Sequence, residues 1–371
     1  MDRKRKRSSA ASYRLVTADE IGLLKVVEVP ADNDWKNAKV VQRWGKLGED
    51  AEPGVQRLAT STNNLLTTSG ACCIAAARAG GSVDLFSSVN GRLLTSFSSS
   101  STSSSLVQNS RAQAHEASDV RLIHFLGGSR GGCGESLRLL TCTEGGEVTI
   151  RQCAADAAAD FLSPTAGSVA ASGKSAWADG AVTFKTIDKI LASSLDLEGR
   201  RLAVGGEGHH LQILDLESQK SVFQARGGKP SRCGLTDLPH VTALSFLPPS
   251  SSSSSSSSAA ECTRVAVGTA KHKLHLYDTR VGRRPQQEVN WGEARITAIA
   301  PTPSGESCWV ANGQGVVEAW DFRTGKVGGA LRGAGGSIRA IALSQPWNLD
   351  SVPSKAAGNS GGDGDGDEDE E

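Results

Sequence analysis

Apolar and polar positions alternate in short stretches throughout the middle of the chain, and one alternating motif recurs. Val120-Arg121-Leu122-Ile123, Val241-Thr242-Ala243-Leu244, Ile296-Thr297-Ala298-Ile299 and Ile338-Arg339-Ala340-Ile341 share it: β-branched, polar or basic, small, aliphatic. Val55-Gln56-Arg57-Leu58 is a looser copy. Period-two alternation with β-branched enrichment predicts a strand with one buried face. A stricter pattern follows each opening strand: two further strands joined by a tight polar or Gly-rich turn. Leu202 to Val204 then Leu211 to Asp215 is one such hairpin, and Arg264 to Val267 then Leu274 to Asp278 is another. From a reference residue on the first strand to the end of the second is always eleven positions, in the pairs Thr17/Glu28, Ala76/Ser87, Thr141/Gln152, Val204/Asp215, Val267/Asp278 and Val310/Asp321. Four and two residues before each end-point stand Leu24/Val26, Val83/Leu85, Val148/Ile150, Leu211/Ile213, Leu274/Leu276 and Val317/Ala319, all apolar. No segment sustains a helical period, so the chain is predicted to be all-β.

The repeat length decides the architecture. Asp278 to Asp321 is 43 residues and Ile296 to Ile338 is 42, which fits the period of about 40–45 residues for four-stranded propeller blades. Longer steps contain low-complexity inserts: the Ser/Thr run 98–105, the Ala/Ser/Gly stretch 153–174 and nine serines at 250–258. Such segments bury no apolar surface and are expected to be disordered rim loops. The domain reading is a basic tail over 1–12, a propeller over 13–345 with inserts near 98–118, 153–180 and 248–260, and an acidic tail over 346–371.

Charge refines this picture. Among 371 residues, 40 Lys and Arg balance 40 Asp and Glu, which excludes a wholly basic nucleic-acid binder. The balance hides a basic start of net +4 (residues 1–7), an acidic end of −7 (residues 363–371) and a body of +3. No run of 18 apolar residues suggests a membrane span. The start has no apolar stretch of the secretory kind. Eight scattered cysteines without CxxC spacing read as reduced and intracellular, with no metal site.

Trp320-Asp321 is a literal WD dipeptide, with Leu214-Asp215 and Tyr277-Asp278 in its place elsewhere. The chain therefore resembles a divergent WD-repeat propeller. Residues 261–341 carry a closer resemblance through KHKLHLYD (Lys271 to Asp278), TRVGRRP (Thr279 to Pro285), WGEARITAIAPTPSGE (Trp291 to Glu306) and NGQGVVEAWDFRTGKVGGALRGAGGSIRAI (Asn312 to Ile341). That run is similar to the nucleolar WD-repeat family that acts in large ribosomal subunit (pre-60S) assembly, and VTADEIGLLKVV (Val16 to Val27) fits its opening repeat. The resemblance implies a seven-bladed propeller without catalytic activity, cofactor or small-molecule substrate. It also implies nuclear and nucleolar residence, pre-60S assembly factors as partners and, in animal and fungal members, a AAA-type ATPase that strips the protein off; rRNA is a further candidate contact. The chain departs from the family after Ile341 and in carrying its basic cluster at the start. A substrate receptor of a ubiquitin ligase is the alternative function for such a propeller.

Other motifs carry less chemistry. Gly127 to Gly131 spells G-x-S-x-G without a following helix, and Ser168 to Ser175 contains GKS without a phosphate-binding cradle. His272/His275 and His209/His210 alternate across strand faces and cannot chelate. Arg3, Lys4, Arg5, Lys6 and Arg7 read as a nuclear-import or RNA-phosphate patch. Lys271, His272, Arg280, Arg283, Arg284, Arg323, Arg332 and Arg339 are candidate partner-binding residues, since the guanidinium fork suits carboxylate and phosphate. The final opening strand at Ile338 poses a choice: a seven-bladed type with an incomplete last blade is favoured, with six-bladed closure from the same residues as the alternative.

Overall fold

A computed structural model describes residues 13–29, 37–45, 53–61, 72–88, 90–98, 119–126, 137–153, 181–227, 233–234, 238–249 and 263–343. The two tails, the Gly127–Gly131 and Ser168–Ser175 motifs and the serine inserts beyond Ser98 lie outside these residues.

The described strands form six antiparallel sheets, each made from consecutive segments. The first has three strands, β1 (Tyr13–Ala18), β2 (Leu24–Val29) and β3 (Lys39–Trp44). The second is β4 (Val55–Thr60), β5 (Cys73–Arg78), β6 (Ser82–Ser87) and β7 (Leu93–Ser98); the third is β8 (Val120–Leu126), β9 (Arg138–Thr143), β10 (Glu147–Gln152) and β11 (Val182–Lys185). The fourth is β12 (Ile190–Leu195), β13 (Arg201–Gly206), β14 (His209–Asp215) and β15 (Lys220–Gln224); the fifth is β16 (Val241–Phe246), β17 (Arg264–Thr269), β18 (Lys273–Asp278) and β19 (Gln287–Asn290). The sixth is β20 (Ile296–Pro301), β21 (Ser307–Asn312), β22 (Val317–Asp321) and β23 (Lys326–Leu331). Opening strands pack against the next blade, and β4, β8, β12, β16 and β20 line a common channel. This is a six-bladed β-propeller.

Burial follows the sequence pattern. Leu24, Val83, Val148, Leu211, Leu274 and Val317, the first of each period-two pair, are all buried. They sit on the third strand of the repeat, where side chains on both faces meet neighbouring blades. The outermost strands are mostly exposed, as in β15 and β23.

One contact repeats at every blade boundary. The residue after each reference position is small: Ala18, Ala77, Cys142, Gly205, Gly268 and Ala311. Each shares its interface with the first β-branched residue of the next opening strand. Gly205 lies so close to Val241 that an added Cβ would come within 2.6 Å of its side chain, and at Gly268 the distance to Ile296 would be 2.4 Å. Ala18 clusters with Val55, Ala77 with Val120, Cys142 with Ile190, and Ala311 with Ile338. Small residues let the next blade's β-branched side chain seat against the backbone, and this fixes blade spacing.

The last of these contacts corrects the blade count. Ile338 sits on Ala311 as each opening strand sits on the blade before it, and Arg339 to Ile341 line the channel beside the other opening strands. Ile338–Ile341 thus occupies the place of the missing inner strand of the three-stranded first blade. The favoured seven-bladed type with an incomplete last blade gives way to the six-bladed alternative: six small residues and six β-branched partners close the ring without a seventh. Among the described residues no ladder joins Ile338–Ile341 to β1. The connection to the first blade is the Arg339–Glu20 ion pair at 3.3 Å, and Ile338 N–H donates to Asn312 O in the sixth blade at 3.3 Å.

Candidate interaction face

Every opening strand carries an irregularity at the same place. The register shifts between Val55 and Arg57, Val120 and Leu122, Ile190 and Ala192, Val241 and Ala243, and Ile296 and Ala298. A bulge inserts one residue that leaves the ladder and re-aims its side chain. The inserted residues are Gln56, Arg121, Leu191, Thr242 and Thr297, with Arg339 following Ile338 in the corresponding place. Five of these six line one end of the channel, and Arg57, one step beyond Gln56, lines it too.

The channel, about 240 Å³ in volume, has mixed walls. Leu58, Leu122, Leu191, Leu244, Ile299 and Ile341 are apolar, while Ser193, Thr242 and Thr297 present hydroxyls. Thr242 Oγ1 donates to Ile296 O at 2.5 Å and so ties the fifth blade to the sixth. His124 Nε2 lies 2.7 Å from Ser193 Oγ, joining the third blade to the fourth. Walled in by the opening strands, the His124 imidazole loses hydration, which pushes its pKa down to about 4.

Three guanidiniums gather at this mouth. Arg121 pairs with Glu144 at 2.8 Å and lies 3.8 Å from Asp119. Arg339 pairs with Glu20, both largely in solvent. Arg57 differs: its Nε donates to Arg121 O and its Nη1 to Gln56 O, both at 3.1 Å. Among the described residues no carboxylate lies within ion-pair distance of Arg57. Loss of hydration, followed by the charges of Arg121 and Arg339, lowers its pKa from the ordinary arginine value. Asp119, which accepts from Gln56 Nε2 at 3.0 Å and Gly80 N at 2.8 Å, is held below the usual carboxylate range chiefly by the Gln56 bond.

The sequence candidates divide between the two ends of the strands. Lys271 and His272 form the β17–β18 turn, at the end where β16 begins, and His272 has a left-handed φ of 47°. Arg332 follows β23, and Arg339 lines the mouth. Arg280, Arg283, Arg284 and Arg323 occupy turns at the opposite end. Two of those four are engaged in the fold. Arg280 Nη2 bonds Asp278 Oδ2 at 3.0 Å, and Arg283 Nε donates to Gln224 O on the fourth blade. Asp278, Asp215 and Asp321 each accept backbone N–H bonds that shape the following turn, from Arg280 at 2.9 Å, Glu217 at 3.2 Å and Arg323 at 2.7 Å. The WD-position aspartates therefore act as turn caps. Arg284, Arg323 and Arg332 are exposed.

Arg57 and Arg121 escaped the sequence reading although both stand in the recognised motif. Their convergence required knowing that the bulges at Gln56 and Arg121 set the register in which Arg57 and Arg121 face the channel. Arg78 was missed as well: fully buried, it pairs through Nε with Asp84 and donates through Nη1 to Gly22 O at 2.9 Å and Pro53 O at 3.0 Å, linking the second blade to the first. Among the described residues no group of His, Cys, Asp or Glu could hold a metal, and no helix is long and apolar enough to cross a membrane.

Six all-β blades with the WD signature define a WD-repeat β-propeller, a class that serves in general as a non-catalytic interaction scaffold. No family model matches the chain. It is similar to WD repeat-containing protein 74 of Homo sapiens, 31% identical over 142 residues, and to the proteins of the same name from Bos taurus and Mus musculus, each 30% identical over 142 residues. The match covers 38% of this chain and about a third, 34%, of each relative.

Proposed function

We propose that this propeller is a non-catalytic assembly factor that holds protein partners during nucleolar large ribosomal subunit biogenesis and rRNA processing. The observation that carries the reading is the run from Lys271 to Ile341, whose RRP turn, WGE entry and GGSIRAI segment resemble the nucleolar pre-60S family. Similarity to WD repeat-containing protein 74 supports it. Pre-60S assembly factors and a AAA-type ATPase are the partners this reading names, with rRNA as a candidate contact. Arg3 to Arg7 would supply nuclear import. The test is sedimentation of a tagged chain in a cell extract: the reading expects co-migration with precursors of the large subunit and accumulation of unprocessed rRNA on depletion. Confinement to light fractions together with a ubiquitin-ligase adaptor would favour the substrate-receptor alternative instead. Alanine at all five of Arg3 to Arg7 should disperse a nucleolar fluorescent signal.

A further inference from the structure

The channel mouth combines a cationic rim with an apolar interior, and one of its charges is uncompensated within the described fold. Arg121 and Arg339 each have a glutamate partner, at 2.8 Å and 3.3 Å, and Arg121 also lies 3.8 Å from Asp119. Among the described residues Arg57 donates to two backbone carbonyls and to no carboxylate. Three like charges facing one opening repel one another, so the mouth is improved by a bound anion that reaches all three. Glu20 is 84% exposed on its side chain and Glu144 is 50% exposed. Both can swing aside at little cost, because solvent-exposed pairs contribute about 0–1 kcal/mol.

From this geometry we infer that the mouth is a docking site for an acidic peptide segment of a partner protein. An Asp or Glu side chain would meet Arg57 between Arg121 and Arg339, and an adjacent aliphatic side chain would enter the channel. The inference deepens the scaffold reading by naming the chemistry of one partner contact. Guanidinium forks match a carboxylate with paired, charge-assisted hydrogen bonds. Below them Leu58, Leu122 and Leu244 line an aliphatic wall, and the hydroxyl oxygens of Thr242 and Thr297, whose protons go to Ile296 O and Ala311 O, can accept from a peptide N–H. Single-stranded RNA fits less well. Its recognition combines phosphate-binding cations with aromatic platforms on which successive bases stack, and the three guanidiniums supply only the first of these. Among the described residues, apart from the His124 imidazole, which is tied to Ser193, no aromatic ring lines this channel.

Fluorescence anisotropy on the full chain tests the inference. The probe is a labelled peptide of about a dozen residues with a Leu-Asp-Glu-Leu centre. Its Asn/Gln counterpart and an oligouridylate serve as comparators. At about 50 mM salt the acidic peptide should bind and the amide peptide should not, and binding should weaken as salt shortens the screening length. Arg57→Ala should weaken binding by about tenfold, as loss of a central charged anchor does, and Arg57→Lys by less, because it keeps the charge without the fork. Arg200→Ala, in the β12–β13 turn far from the mouth and paired there with Glu198 at 3.3 Å, should leave affinity unchanged. Matching far-ultraviolet circular dichroism melts would show that the variants fold.

Equal binding by wild type and Arg57→Ala, or no binding by wild type, would overturn the inference. So would tighter binding of oligouridylate, lost on Arg57→Ala, which would make the mouth an RNA site. Sedimentation keeps the two readings apart. A chain that co-migrates with pre-ribosomal particles yet ignores the peptide leaves the assembly role standing and removes this site.

Discussion

Two blade boundaries rest on the same kind of contact and are held by different means. Between the fifth and sixth blades, Ile296 packs on Gly268, is fully buried and continues into the β20–β21 ladder. Thr242 Oγ1 bonds Ile296 O, Trp291 Nε1 donates to Glu318 Oε2 at 2.9 Å, and Gln287 Nε2 donates to Phe322 O at 2.7 Å across the same boundary. Where the last blade meets the closing segment, Ile338 packs on Ala311 but is only half-buried, with one backbone bond to Asn312. Onward to the first blade the tie is an ion pair whose side chains are 81% and 84% exposed. The other inner strands are laddered to the next strand of their own blade within a short stretch of chain. The closing segment must return across the whole chain and is held by side-chain packing, one backbone bond and one exposed ion pair rather than by a ladder. Ring closure is therefore the weakest link of the fold, and the ring should open there first.

Substitutions at the boundaries sharpen this contrast. Arg78→Met should cost the most, about 3–5 kcal/mol, because it strands Asp84 as an unpaired buried charge and removes the bonds to Gly22 O of the first blade and to Pro53 O. Chemical denaturation would read the loss, and adding Asp84→Leu should restore much of it. Ile296→Ala should cost about 3 kcal/mol and Ile338→Ala about 1 kcal/mol, since only the first empties a fully packed site. Equal costs would mean that the closing segment is as firmly packed as a complete blade. Gly268→Ala should destabilise by about 2 kcal/mol through overpacking, with Ile296→Ala, which removes the clashing Cγ2 methyl, relieving part of it.

The His124–Ser193 contact gives a pH signature at a complete boundary. His124 has a folded pKa of about 4, below the ordinary histidine value of about 6.5. The unfolded chain therefore binds the extra proton between these values, so this contribution is intact above pH ~6.5 and is lost as pH falls toward 4. His124→Asn should flatten the dependence of unfolding free energy on pH in that window by up to about one proton. Asp19, Asp188, Asp215 and Asp321, whose pKa values are lowered by side-chain or backbone hydrogen bonds, lose their contributions at more acid pH. Arg339→Ala should have the smallest effect on stability, within about 0.5 kcal/mol, since the pair is exposed. A larger loss would show that ring closure depends on that contact.

Much of the fold was legible because its elements are local. The period-two positions from Leu24 to Ala319 mark the third strand of all six repeats, since those side chains are pinned between blades. The outer strands β7, β11, β15 and β19 were not marked in advance: with one side toward solvent, their composition carries little pattern. β12 was missed for a related reason, since Leu191 and Ser193 replace the polar and aliphatic residues of the motif. The candidate site was half legible. Arg339 was selected for its chemistry, whereas Arg57 and Arg121 were passed over as ordinary strand residues.

The amino-acid sequence by itself determined that this chain is all-β, that its repeats are propeller hairpins and that aspartates end three of their third strands. Periodicity, turn chemistry and caps act within about 45 residues, so the local chain records them. Tertiary structure alone decided the number of blades, the placing of Ile338–Ile341 where an inner strand would lie and the meeting of Arg57, Arg121 and Arg339 at one mouth. Those outcomes depend on how closely Ala18, Gly268 and their counterparts let successive blades approach, and on the bulges that turn side chains inward. Both are properties of packed surfaces separated by whole repeats, which no single stretch of sequence specifies.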